Sequence, residues 1–212
     1  MFAIAARISY IPVENFKYRS VVGLRDPIQI DLDGSESKTI SGDGWSAELY
    51  YLAKYDIVGM VVDPTRFDNK RGATAFDKMM PMDFGILYGY SAQHRNWFDF
   101  SHKRRTLIPK WRMTPNADEY NSGMINHTLT NNHIITDDAD MRKRLYKVKE
   151  GEVVRIKGYL VSGNVYDTKT GRLDQGFASS LSRDDSNGLF QHKTTCEIIY
   201  ITDLEILEKS PF

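Results

Sequence analysis

Apolar and polar positions alternate along much of this chain with the period of two that marks β-strands. Pro27 to Leu32 alternates before the turn Asp33-Gly34-Ser35, and Ser41-Gly42-Asp43-Gly44 supplies a second turn. From Trp45 the signal strengthens. Ala47 to Leu52 and Asp56 to Val62 are predicted strands, the second ending at Asp63-Pro64 because proline removes a ladder donor. Asp68 to Gly72 reads as a solvated loop. Phe76 to Tyr90 has no clean period, and its local signals predict a helical turn opening near Pro81 and closing at Gly89. The methionines of that stretch read as core filler. Arg95 to Phe100 is a predicted strand with aromatic residues on both faces, followed by the basic run His102-Lys103-Arg104-Arg105. Pro109 to Ser122 is expected to form a long loop before a strand resumes over Met124 to Leu129.

The second half carries the clearest elements. Asn131-Asn132-His133 reads as a turn that aims the chain into a helix, since asparagine tolerates left-handed backbone angles. Acids around Asp138 cap that helix, predicted over about 138–149. Met141, Leu145 and Val148 form its apolar stripe, and Arg142, Lys143, Arg144 and Lys147 occupy the rest. Val153 to Val161 follows as a strand with Val154, Ile156 and Leu160 on one face and Arg155, Lys157 and Tyr159 on the other. A hairpin with its tip at Thr168 to Gly171 and strands over Phe177 to Leu181 and Thr194 to Ile201 complete the set. The predicted class is α+β, mainly β, with short antiparallel strands in a barrel-like or sandwich core and one clear amphipathic helix. Residues 1–44 form an irregular lead-in and 45–212 the main domain, with Gly123 as the position where a boundary would fall.

Composition narrows the function classes. A hydrophobic share of 41% argues for an ordered globular chain. Twenty-eight basic and 28 acidic residues cancel, which removes the electrostatic footprint of a dedicated nucleic-acid binder. The single cysteine cannot form an internal disulfide. The apolar start Met1 to Ala6 is too short for a membrane span. No cofactor signature is present, and the partner expected is a small ligand or another envelope protein.

Several segments together resemble a family of uncharacterised bacterial proteins, often with an N-terminal membrane anchor. They are Tyr55 to Val61, Pro81 to Gly85, Gln93 to Phe98, Asn132-His133-Ile134-Ile135, Gly151 to Val161, Ser180 to Asp185 and Cys196 to Tyr200, within roughly 45–203. The pattern comprises Asn-x-His-x-Ile, Ser-Leu-x-Arg-x-Asp and a strand containing Cys-Glu. This chain has Thr136-Asp137 where the family places a proline and a small residue, and a longer loop, Ser186 to Thr195, before the cysteine. The resemblance implies an organisation and an envelope-associated or cytoplasmic location, and no reaction. The leading expectation is a β-rich binding or structural module.

Two alternatives rest on particular residues. Cys196 with His133 or His127 would make a thiol hydrolase, provided the sulfur lies within hydrogen-bond reach of an imidazole and a third group, such as Asn131 or Asp184, orients the ring. Against it, Cys196 lies inside an apolar strand, where free cysteines are commonly buried. The second alternative is an oligonucleotide-binding barrel using Arg155, Lys157 and Tyr159. His127 and His133 lack metal-ligand spacing, so no metal is expected. The ligand-binding set expected from sequence is Asn132, His133, Arg183, Asp184 and Glu197. Neighbours on a strand face opposite ways, so only one of Cys196 and Glu197 can belong to a pocket lined by His133, and Glu197 with Arg183 is the pair expected there.

Overall fold

The computed structural model describes residues 26–111, 128–182 and 196–208. Its first strands, β1 (Ile28–Asp31) and β2 (Ser37–Gly42), both pair with β3 (Trp45–Arg66), which runs for 22 residues. A short helix, α1 (Ala75–Met79), leads into β4 (Met82–Leu87). Another short helix, α2 (Gly89–Gln93), and a 3₁₀ turn, Arg95–Trp97, precede a two-stranded hairpin, β5 (Phe98–Lys103) and β6 (Thr106–Trp111). The chain continues through β7 (Leu129–Ile135), α3 (Ala139–Leu145), β8 (Val153–Asp167), β9 (Leu173–Ala178) and β10 (Cys196–Glu208).

Five of these strands close on themselves. β3 pairs with β4, β4 with β7, β7 with β10, β10 with β8, and β8 returns to β3. Every pairing in the ring is antiparallel except β7 with β10, which is parallel. Closure leaves the ring strands without free edges, the usual escape from edge-to-edge aggregation. A five-stranded Greek-key barrel with α3 between its third and fourth strands is the architecture typified by oligonucleotide- and oligosaccharide-binding domains.

The barrel separates two apolar layers. Inside lie Ala53, Ile57, Phe84, Ile86, Ile134, Ile156 and Ile199, joined by Met141, Leu145 and Val148 of the helical segment. Outside, α1 lays Ala75, Phe76 and Met79 against Trp45, Leu49, Ile135 and Ile198. β3 serves both layers because its pairing with β8 slips by one residue between Tyr51 and Ala53. Such an irregularity exchanges the faces, so Trp45, Ala47 and Leu49 point outward and Ala53, Tyr55 and Ile57 inward.

The mainly β class and the barrel-like core agree with the sequence pattern, and so does the capped helix, although it ends at Leu145 and not near 149. Asp138 accepts from the amides of Asp140 (2.7 Å) and Met141 (2.9 Å), and the predicted stripe is buried. Several local readings are corrected. The two strands separated in prediction are one, continuous through the slip between Tyr51 and Ala53, and it ends at Arg66, not at Asp63-Pro64, which sits in a bulge between Val62 and Thr65 with Asp63 at φ 43°. The helical turn falls over Ala75–Met79, before Pro81, and the stretch after the proline is strand β4. Its residues are buried on both faces, which erases the alternation that marks a strand. Asn131-Asn132-His133 is mid-strand, not a turn, for the same reason: every residue of β7 is buried. Arg95–Trp97 forms a 3₁₀ turn, and the strand starts at Phe98. Pro109 lies within β6, whereas the rest of the predicted loop, Gly123 and most of the strand expected before Leu129 fall outside the described residues.

Candidate active site

Alternation along β7 turns Ile134 into the barrel and Ile135 outward, so Asn132 shares the inner face and Asn131 and His133 the outer one. Pairing then decides their neighbours. Asp83 of β4 lies opposite His133, and Cys196 of β10 lies opposite Asn131. Directly opposite residues share a face, which brings a carboxylate, an imidazole, an amide and a thiol onto one patch of the barrel's exterior. His133 Nδ1 approaches Asp83 Oδ2 to 2.9 Å, an ion-pair contact off the line of an ideal hydrogen bond. Cys196, opposite Asn131 on the same face, lies near enough to this ring to help hold its proton. Asn131 Nδ2 lies 3.5 Å from Cys196 Sγ. Asp83 is fully buried, His133 nearly so, and Cys196 is half-buried at the end of its strand.

Burial alone would depress the His133 pKa. The adjacent Asp83 carboxylate, with a further contribution from Cys196, outweighs it and raises the value from the ordinary 6.5 to about 10. His133 is therefore an imidazolium at neutral pH. Because the folded value is the higher one, its contribution to stability is complete below 6.5 and is lost as the pH rises through about 10. Urea unfolding midpoints are expected to decline across that interval, and the His133→Gln variant should lack this component of the slope. Equal slopes in the two proteins would show that the ring holds no extra proton.

The β5–β6 hairpin folds over this patch. Gly85 permits the approach, since a Cβ there would lie 2.7 Å from both Leu107 Cδ2 and Val62 Cγ2. Leu107 is completely buried in the resulting contact. Arg105, in the hairpin turn, reaches Asp83 Oδ1 (2.7 Å), Asp77 Oδ1 (2.9 Å) and the Met80 carbonyl (2.9 Å). Asp77 is held for this by the capping box it forms with Thr74 at the start of α1. His102 bridges Asp63 Oδ2 (2.9 Å) and Asn131 Oδ1 (3.1 Å), so both of its ring nitrogens face oxygens. Burial acts to raise the Asp63 pKa, but the bond and charge of His102 prevail and lower it. The bulge at Asp63-Pro64, which interrupts β3 on this side, supplies the carboxylate. Two histidine–carboxylate pairs thus converge on Cys196, one directly and one through Asn131.

The sequence candidates divide accordingly. His133 and Cys196 come together, with Asn131 beside them as the orienting amide. Asn132 and Glu197 are paired across β7 and β10 but occupy the barrel side, alongside Ile134 and Ile199. The structure therefore gives the His133 face to Cys196, the reverse of the expected choice of Glu197. His127, Arg183 and Asp184 fall outside the described residues. Arg155, Lys157 and Tyr159 do share an outer strand face. Asp56 grips Arg155 through two bonds (2.9 and 2.6 Å), Asp203 stands 3.9 Å from Lys157, and Tyr159 stacks on Tyr51.

Asp83, Arg105, His102 and Asp63 escaped the sequence reading. Asp83 left one signal, a lone acid inside the apolar run Met82-Asp83-Phe84-Gly85-Ile86-Leu87, where a buried charge requires a partner.

The site thus defined is a thiol–imidazole–carboxylate arrangement. It lies on the exterior of the second, third and fifth strands of the ring, beside the connection from the first strand to the second. Barrels of this architecture commonly bind ligands on the face of the second and third strands. No family model, curated protein or solved structure matches the chain.

Proposed function

We propose that the protein is a thiol-dependent acyl-transfer enzyme, a hydrolase when water is the acceptor. Cys196 is its nucleophile, His133 its acid and base, and Asp83 the carboxylate that orients and charges the ring. The observation that carries this reading is the shared outer face of β4, β7 and β10, where the His133 imidazole contacts Asp83 at 2.9 Å and Asn131, two residues before it, lies 3.5 Å from the Cys196 sulfur. An interaction that keeps a proton on the imidazole favours, by the same coupling, the thiolate beside it. The resting pair is then thiolate and imidazolium.

In the first step the Cys196 sulfur bonds to an electrophilic carbonyl carbon. The bond from that carbon to the leaving group breaks, and the imidazolium gives the leaving group its proton. A thioester on Cys196 remains, with His133 neutral. Water then attacks the thioester carbon while His133 takes its proton, and the acid departs as the thiolate is restored. This is the two-step division of labour of covalent catalysis by an activated nucleophile.

The test is a burst experiment with p-nitrophenyl acetate. A burst of p-nitrophenolate, stoichiometric with protein and absent from Cys196→Ala, is expected, together with an acetylated Cys196 by mass spectrometry. A Cys196→Ala variant that releases p-nitrophenolate like the parent would exclude the thiol as nucleophile.

A further inference from the structure

We infer that the site selects electrophiles carrying an anionic group, a carboxylate or a phosphate, through a rim of four exposed cations. The inference rests on the reading of Cys196 as a nucleophile and names the substrate class for it. The cations come from two loops that meet at one ring. Lys70 Nζ sits 3.7 Å from the centroid of Phe67, and Arg105 Cζ lies 4.2 Å from the same centroid. Arg71 follows Lys70 in the loop before α1, and Lys103 and Arg104 precede Arg105 in the β5–β6 turn. Lys70, Arg71, Lys103 and Arg104 are all exposed.

This rim lies beside the thiol. The Arg105 carbonyl accepts from Asn131 Nδ2 at 2.8 Å, and the same nitrogen lies 3.5 Å from Cys196 Sγ. One amide therefore separates the hairpin tip from the sulfur. Arg104 projects from that tip with φ 57°, the left-handed conformation a tight two-residue hairpin turn demands.

Charge accounting isolates the four cations. Asp63 is taken by His102, and Asp77 and Asp83 by Arg105 and His133. Among the described residues no carboxylate pairs with Lys70, Arg71, Lys103 or Arg104. The inner carboxylates are thus engaged by partners of their own, and the exposed rim is what an approaching molecule meets first, even though the chain as a whole is neutral. A neutral or cationic electrophile gains nothing from this field, whereas an anionic one is drawn to the thiol.

Alkylation separates the two cases with probes of similar size. Iodoacetate is anionic and iodoacetamide neutral, and each forms a sulfur–carbon bond at Cys196 with loss of iodide. At low ionic strength the ratio of the iodoacetate rate to the iodoacetamide rate should exceed that of free cysteine several-fold. The double variant Lys103→Glu/Arg104→Glu should lower this ratio at least threefold, and about 0.5 M NaCl should lower it similarly by screening. The reversal matters because the His133 imidazolium raises the ratio in either protein. A ratio that the double variant leaves unaltered, with the thiol still reactive, overturns the anionic-substrate assignment alone. A Cys196 that neither reagent alkylates in the folded protein overturns the nucleophile reading and this inference together.

Discussion

Asp83→Ala is expected to lower the unfolding free energy by about 3–5 kcal/mol, the loss that follows removal of one partner from a buried ion pair. Asp83 is fully buried and meets two cations, Arg105 through Oδ1 and His133 through Oδ2. Deleting the carboxylate strands both. The guanidinium keeps Asp77 and the Met80 carbonyl, but His133 keeps only the thiol as a source of negative charge. Asp83→Asn retains the shape and a polar contact to Arg105 while deleting the charge, so its loss should be smaller. Urea unfolding of the three proteins reads the effect directly. The hairpin should loosen first in Asp83→Ala, because Arg105 is its polar anchor, and amide exchange over β5 and β6 should accelerate more than over β8. A loss below about 1 kcal/mol would place Asp83 among surface-like pairs and remove its role as the centre of the network.

His133→Gln is expected to slow turnover of an activated ester by about 10²–10⁴-fold, the range associated with a positioned acid and base. Glutamine can occupy the space between Asp83 and Cys196, but it neither carries a proton charge nor exchanges one. Two effects add. The thiolate loses the cation that favours it, and the leaving group loses its proton donor. The first slows acyl-enzyme formation at neutral pH and is partly relieved at high pH, where thiolate forms unaided. The second persists, so the deficit should narrow with pH without closing. The measurement is the burst rate with p-nitrophenyl acetate across pH in the parent and the variant. A variant within a few-fold of the parent at neutral pH would show that the imidazole is a structural tie for the hairpin and not a participant.

The fold was legible wherever a strand has one wet face. Val153 to Val161 alternates because Arg155, Lys157 and Tyr159 lie outside the barrel and Val154, Ile156 and Leu160 inside. The capped helix was legible from Asp138 and its stripe. The site lies where that signal disappears. β4 and β7 are buried on both faces, inside by the barrel core and outside by α1 and the hairpin, so Asp83 and His133 sit in runs that read as a helix and a turn. The bulge at Asp63-Pro64 misled for a related reason: a proline that ends most ladders here sits at an irregularity that places a carboxylate against His102. The likeness of residue types, one cysteine and a histidine in the same region, was visible. Their pairing depended on the parallel register of β10 with β7, which places Cys196 and not Glu197 on the His133 face, and no local pattern encodes a register between strands 65 residues apart along the chain.

The central claim, that Cys196 and His133 form a thiolate–imidazolium pair, is tested most directly by the pH dependence of Cys196 alkylation with iodoacetamide. An ordinary thiol gains reactivity around pH 8.5, roughly its free pKa. The pair predicts an inflection well below that value in the parent, and a return toward about 8.5 in His133→Gln. An inflection at about 8.5 or above, the same with and without His133, would contradict it.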